Sequence, residues 1–148
     1  MSAETRVRFD ASGQLSPGIY PLTPAEIVSL FGQGNARREQ LGRVFLEMVG
    51  RIHACGVVRR CWIGGSFVSQ KAVPGDIDLW LLVTTDSEAI TLSPAFSDLF
   101  AHEQAKLVYG ADVFWMTEAG ATVILDKVLE CLQTTRDGKP RGIVEVKL

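Results

Sequence analysis

The run DIDLWLLVT, residues 76–84, constrains the fold of this chain more than any other segment. It is β-branched and aliphatic, and it reads as the strongest strand in the sequence. Segments with helical periodicity lie on both sides of it. From Ala36 to Cys55 the apolar residues Leu41, Val44, Phe45, Met48, Val49 and Ile52 recur at helical spacing, with Asn35 placed to cap the start and Gly56 the end. The other face of that helix carries Arg37, Arg38, Glu39, Arg43, Glu47 and Arg51, a set that reads as a solvated surface.

The rest of the chain continues the alternation. Thr23, Pro24 and Glu26 form a capping box with proline at the first helical position, and Gly32 ends that short helix. Residues 57–63 (VVRRCWI) and 111–116 (ADVFWM) predict strands. Ser93-Pro94 opens a helix with Phe96, Leu99, Phe100 and Leu107 on its apolar side and Gly110 at its stop. Thr117 caps a further helix over residues 118–133, with Val123, Ile124, Val128, Leu129 and Leu132 expected in the core. IVEVKL (143–148) alternates apolar and polar, as a half-exposed terminal strand does, and follows the Asp-Gly turn of TRDGKPRG. Residues 5–10 predict a short edge strand, and 11–21, with two glycines and two prolines, a loop.

Strands interleaved with helices imply an α/β or α+β domain, a mixed β-sheet with helices packed on it. A length of 148 residues is that of a single domain, in which 1–34 supply the N-terminal strand, loop and short helix and 35–148 the core. The charge balance, net −2, leaves no strong nucleic-acid footprint. No apolar run approaches the roughly 18–20 residues of a membrane span, and the charged N-terminus has no signal-peptide core, so a cytoplasmic protein is expected. Cys55, Cys61 and Cys131 are odd in number and lack CxxC spacing, which predicts reduced, buried thiols rather than a disulfide or zinc site. His53 and His102 stand on predicted helices with no second ligand at i+3 or i+4, so neither is expected to bind metal.

Two aspartates interrupt the strongest strand. Residues i and i+2 of a strand point to one face, so Asp76 and Asp78 project together while Ile77, Leu79 and Leu81 enter the core. Carboxylates about 6–7 Å apart repel each other, and a hard cation such as Mg²⁺ or Mn²⁺ removes that repulsion. Asp76 follows Pro74-Gly75 and is also placed to cap a turn. Asp112 sits inside a second apolar strand, where a carboxylate is costly unless paired or metal-bound. If the two strands are neighbours, three acids converge, enough for two metal ions or for one with a general base.

Gly64-Gly65-Ser66 follows a strand and precedes a short helical turn expected over residues 66–71. Taken alone, it is explained by a tight turn and an N-cap. Beside the two aspartates it becomes a phosphate cradle: glycines let backbone N–H groups approach a ligand, and the Ser66 hydroxyl can donate to a phosphate oxygen.

A glycine-serine turn, a loop of about ten residues, a DxD strand and a later strand-borne acid together resemble the polymerase-β-like nucleotidyltransferase superfamily, and in particular its small, minimal bacterial members. The likeness is strong over residues 57–116 and loose outside them. It implies that Gly65 and Ser66, with Gly64 in the same turn, hold the phosphates of an NTP such as ATP, and that Asp76, Asp78 and Asp112 bind Mg²⁺ or Mn²⁺; Lys71 is a candidate phosphate partner, with solvated charge as the alternative. Asp112 would also activate an acceptor hydroxyl on a protein, an RNA end or a small molecule. Most active members carry a further helical domain that grips base or acceptor, and this chain has only a short stretch after Asp112. The resemblance therefore also admits a nucleotide-binding antitoxin-like module of a toxin–antitoxin pair, and places the acceptor site on a homodimer partner, on another protein or on the N-terminal helices. Lys139 and Arg141 are further candidate phosphate partners, with solvated charge as the alternative; Trp80 and Trp115 are candidates for base stacking or for core packing.

Overall fold

The computed structural model describes residues 2–148. In chain order the elements are α1 (Ala3–Arg6), β1 (Ile19–Leu22), α2 (Pro24–Phe31), α3 (Ala36–Cys55), β2 (Val58–Gly64), a 3₁₀ turn (Ser66–Val68) and β3 (Asp78–Val83). Next come α4 (Glu88–Thr91), a 3₁₀ turn (Pro94–Phe96), α5 (Ser97–Phe100), α6 (His102–Tyr109), β4 (Asp112–Thr117), α7 (Glu118–Leu132) and β5 (Ile143–Val146). The strands form one mixed sheet in the order β1-β5-β2-β3-β4, parallel at its two ends and antiparallel in its middle. The fold is α+β, as the alternation of elements predicts. No helix among the described residues is long and apolar enough to cross a membrane.

Helices cover both faces of the sheet. Ile63, Ile77, Leu79, Leu81, Val113 and Val144 on one face pack with Phe31, Phe45, Met48 and Ile52 of α2 and α3. Trp62, Leu82, Met116 and Ile143 on the other face pack with Ala121, Val128, Leu129 and Leu132 of α7. Local chemistry sets the long elements. Thr23 accepts the Glu26 N–H and Glu26 caps the Thr23 N–H in return, Asn35 accepts the Arg38 N–H, and Gly56 closes α3 at φ 70°.

Several sequence expectations are corrected. Residues 5–10 do not form an edge strand; one edge is β4, and the other is β1, which begins within the segment expected as a loop and runs one residue past it. Pro21, which lacks an N–H, is tolerated there because β1 has a neighbour on one side only. The terminal strand β5 is interior, between β1 and β2, with Ile143, Val144 and Val146 buried. The helix opened by Ser93-Pro94 breaks at Ala101 (ψ 113°), and Leu107 is 81% exposed. On α7, Val123 and Ile124, expected in the core, are exposed, and Cys131 is an exposed thiol; Cys55 and Cys61 are buried, and the three cysteines are free. Arg38 is not solvated but buried.

Candidate functional site

The register of three adjacent strands builds the site. Gly64 at the end of β2 pairs with Asp78 at the start of β3, and Asp78 pairs with Asp112 at the start of β4. The adjacency left open by the sequence is therefore present, and the glycine-serine turn and two of the acids meet at one end of the sheet. Alternation then puts Asp78, Trp80, Asp112 and Phe114 on the α7 face, while Ile77 and Leu79 are fully buried on the other. Asp76 precedes β3 and joins the site from the loop.

Gly65 holds φ 84°, ψ −165°, a conformation restricted to glycine, and its α-carbon abuts a carboxylate: a Cβ there would stand 2.7 Å from Asp78 Oδ2. The following 3₁₀ turn is three residues long, so little of the helix dipole expected at a phosphate cradle is available. Ser66 Oγ accepts the Gly75 N–H at 2.8 Å and thereby ties the turn to the loop that leads into the acids, its own hydrogen remaining available for donation.

That loop is clamped from α3. The Arg38 guanidinium donates to the carbonyls of Phe31, Phe67, Ser69 and Lys71 at 2.6–3.0 Å. Asn35 Nδ2 donates to Ala72 O, and Arg37 donates to Pro74 O and Gly75 O with Asp76 Oδ1 at 3.5 Å. The arginine-rich face of α3 thus positions the site as well as meeting solvent.

The acids open into a cleft of about 850 Å³. Four cations, Lys71, Lys106, Arg136 and Arg141, line it together with the three carboxylates. Trp80 and Phe114, stacked with centroids 5.0 Å apart, form an aromatic wall. Lys106 Nζ lies 2.5 Å from Asp76 Oδ2 and 3.1 Å from Asp112 Oδ2, and His102 Nε2 lies 3.2 Å from Asp112 Oδ1. Asp78 has no direct cation contact among the described residues. Burial, and then the neighbouring Asp112, push its carboxyl up to about 6.

Of the residues singled out in the sequence, Gly65, Ser66, Lys71, Asp76, Asp78, Asp112, Arg141 and Trp80 border the cleft. Gly64 does not: a side chain there would meet Ile143 and Leu132. Lys139 is exposed near Asp137, and Trp115 is on the core face, donating to Phe100 O. Sequence reasoning missed Lys106, His102, Phe114 and Arg136. Three of these carried a signal: Phe114 stands at i+2 from Asp112 in a strand, and His102 and Lys106 stand at i, i+4 on the helix leading into it.

Among the described residues no group of three or more His, Cys, Asp or Glu side chains is arranged to hold a metal ion. The donor chemistry nonetheless fits a hard divalent cation. Asp78 and Asp112 are in register, and burial, then the neighbouring Asp112, raises the proton affinity of Asp78.

The mixed sheet and its cleft define an α+β domain with an acidic, glycine-turn site at the end of its central strands. By comparison with known families, the chain belongs to a family of unknown function, DUF6932, which matches residues 7–147. Neither the curated proteins nor the solved structures compared with it contain a match.

Proposed function

We propose that the chain is a metal-dependent nucleotidyltransferase that moves a nucleoside monophosphate from an NTP to an acceptor hydroxyl. The observation that carries this reading is the in-register pair Asp78–Asp112 set against the Gly65-Ser66 turn inside one cleft. A triphosphate is highly anionic, and Lys71, Arg136 and Arg141 supply positive charge on the cleft wall, with the Ser66 hydroxyl as a further donor. Trp80 and Phe114 offer a π surface for a base. Asp76, Asp78 and Asp112 would hold Mg²⁺ or Mn²⁺, which neutralises charge on the phosphoryl oxygens when bound. The acceptor oxygen attacks the α-phosphorus, pyrophosphate leaves with its bonding electrons, and Asp112 takes the hydroxyl proton.

A second reading, a nucleotide-binding module with weak or no transfer, draws on the ion pairs that Lys106 makes with Asp76 and Asp112. One experiment separates the two. The protein and an Asp76→Ala/Asp78→Ala variant are incubated with Mg²⁺, labelled NTPs and candidate protein, RNA and small-molecule acceptors. Mg²⁺-dependent binding and label transfer by the parent alone are expected. Binding without transfer favours the module, and no Mg²⁺-dependent nucleotide binding by the parent refutes both.

A further inference from the structure

Helix α6 presents a histidine and a lysine to the acids from one face. His102 and Lys106 are one turn apart, and both reach Asp112. Lys106 also reaches Asp76, so its ammonium bridges the two carboxylates that flank Asp78. Resting on the nucleotidyltransferase reading, we propose that Lys106 is a resident counter-ion which a divalent cation displaces, and that the displaced ammonium then pairs with the nucleotide's phosphates, coupling metal loading to nucleotide loading.

Three observations support this. The first is an uneven pairing: Lys106 bridges Asp76 and Asp112, and Arg37 also reaches Asp76, while Asp78 between them has no cation in direct contact among the described residues, so the acidic end still favours a compact cation of higher charge. The second is that Lys106 is free to leave. Its side chain is 44% exposed, its stem is flexible, and its hydrogen bonds among the described residues are those to Asp76 and Asp112; exposed ion pairs of this kind hold weakly. Arg37, the other cation on Asp76, differs in being anchored to the carbonyls of Pro74 and Gly75. The third is that Lys106 has somewhere to go: it borders the cleft whose wall also carries Lys71, Arg136 and Arg141, so a swing of its stem keeps the charge beside a bound polyanion.

The test measures Mn²⁺ binding by the amplitude of the free-ion EPR signal, with and without a non-hydrolysable ATP analogue, for the parent, Lys106→Met and Lys71→Met. Lys71 makes no ion pair among the described residues and serves as a control for loss of cleft charge. Expected for Lys106→Met is Mn²⁺ binding about tenfold tighter than the parent's, because a competing charge is gone. Its affinity for the analogue with Mn²⁺ should fall about tenfold, so that metal and nucleotide no longer strengthen each other's binding. Lys71→Met should weaken the analogue and leave Mn²⁺ affinity within about twofold. If the parent binds Mn²⁺ and Lys106→Met binds it equally or more weakly, the counter-ion role is overturned and the nucleotidyltransferase reading stands. Mn²⁺ binding by Lys106→Met alone overturns displacement, since Lys106 is then a fixed replacement for the metal. Binding by neither protein overturns the inference and the functional reading together.

Discussion

Asp78 and Asp112 stand opposite each other in register on β3 and β4, and Asp78 pays for the arrangement in its acidity, its carboxyl being pushed up to about 6 by burial and by Asp112. With the folded-state value above the ordinary 3.8, protonation of Asp78 favours the fold. That contribution is fully present below about pH 4 and is lost as the pH rises through about 6. At pH 7.5 the ionised Asp78 is therefore a net cost. Asp78→Asn is expected to stabilise the protein there by about 1–2 kcal/mol, with the gain vanishing toward pH 4. Thermal unfolding over a pH series checks this, and an Asn variant less stable than the parent at pH 7.5 would contradict it. The same proton competes with cations, so metal affinity should fall as the pH drops below about 6.

Gly65→Ala is expected to destabilise the protein by about 2–3 kcal/mol, because the new methyl meets both a glycine-only backbone and the Asp78 carboxylate. The two causes are separable. In the Asp78→Ala background the contact is gone and only the backbone part remains, about 1 kcal/mol. A double-mutant cycle by denaturant unfolding measures the coupling; additive losses would show that the carboxylate does not confine this glycine.

Arg38 holds four carbonyls that lie on both sides of the turn. Arg38→Met leaves those acceptors without their donor, an expected loss of about 2–4 kcal/mol. Arg38→Lys should recover little, since an ammonium cannot reproduce the planar fork. Hydrogen exchange adds a local readout: the Gly75 amide, bonded to Ser66 Oγ, should exchange faster in Arg38→Met than global unfolding accounts for.

Phe114 and Trp115 are neighbours in sequence with opposite assignments. Phe114 faces the cleft beside Trp80, and Trp115 packs edge-on to Phe100 in the core. Phe114→Ala is expected to weaken nucleotide binding by about 1–3 kcal/mol with little change in Tm. Trp115→Ala should lower stability by about 3–5 kcal/mol. Nucleotide titration and thermal unfolding on both variants distinguish the roles, and equal effects on binding would refute the aromatic wall.

Elements governed by neighbours in sequence were legible. The capping box at Thr23, the full extent of α3 and the αL glycine at position 56 depend on interactions a few residues apart, and periodicity reports those directly. The inward direction of Leu79 and Leu81 likewise follows from strand alternation; Asp76 and Ile77 precede β3, so the strand expected from residue 76 starts at Asp78 and Asp76 reaches the site from the loop. Misreadings arose where a distant partner decides. Pro21 argues against a strand until β5 is seen to supply its one neighbour, and the alternation of IVEVKL suggests a half-exposed strand until β1 and β2 are seen to flank it on both sides.

The candidate site divides in the same way. Its residue types, three acids and a glycine-serine turn, are written in the chain, because a carboxylate in an apolar strand is costly and the cost is visible locally. Their convergence is not. It required β3 and β4 to pair in parallel with Asp78 opposite Asp112, an arrangement set by the crossover through α4–α6. The cations were hidden for the same reason. Arg38 reads as one of several surface arginines and Lys106 as an ordinary helix lysine, since long side chains act at the distance of their stems and only the tertiary structure says what lies within that reach. The sequence by itself determined which residues this protein could use at the end of its sheet; the packing of α3 and α6 decided which charges meet there.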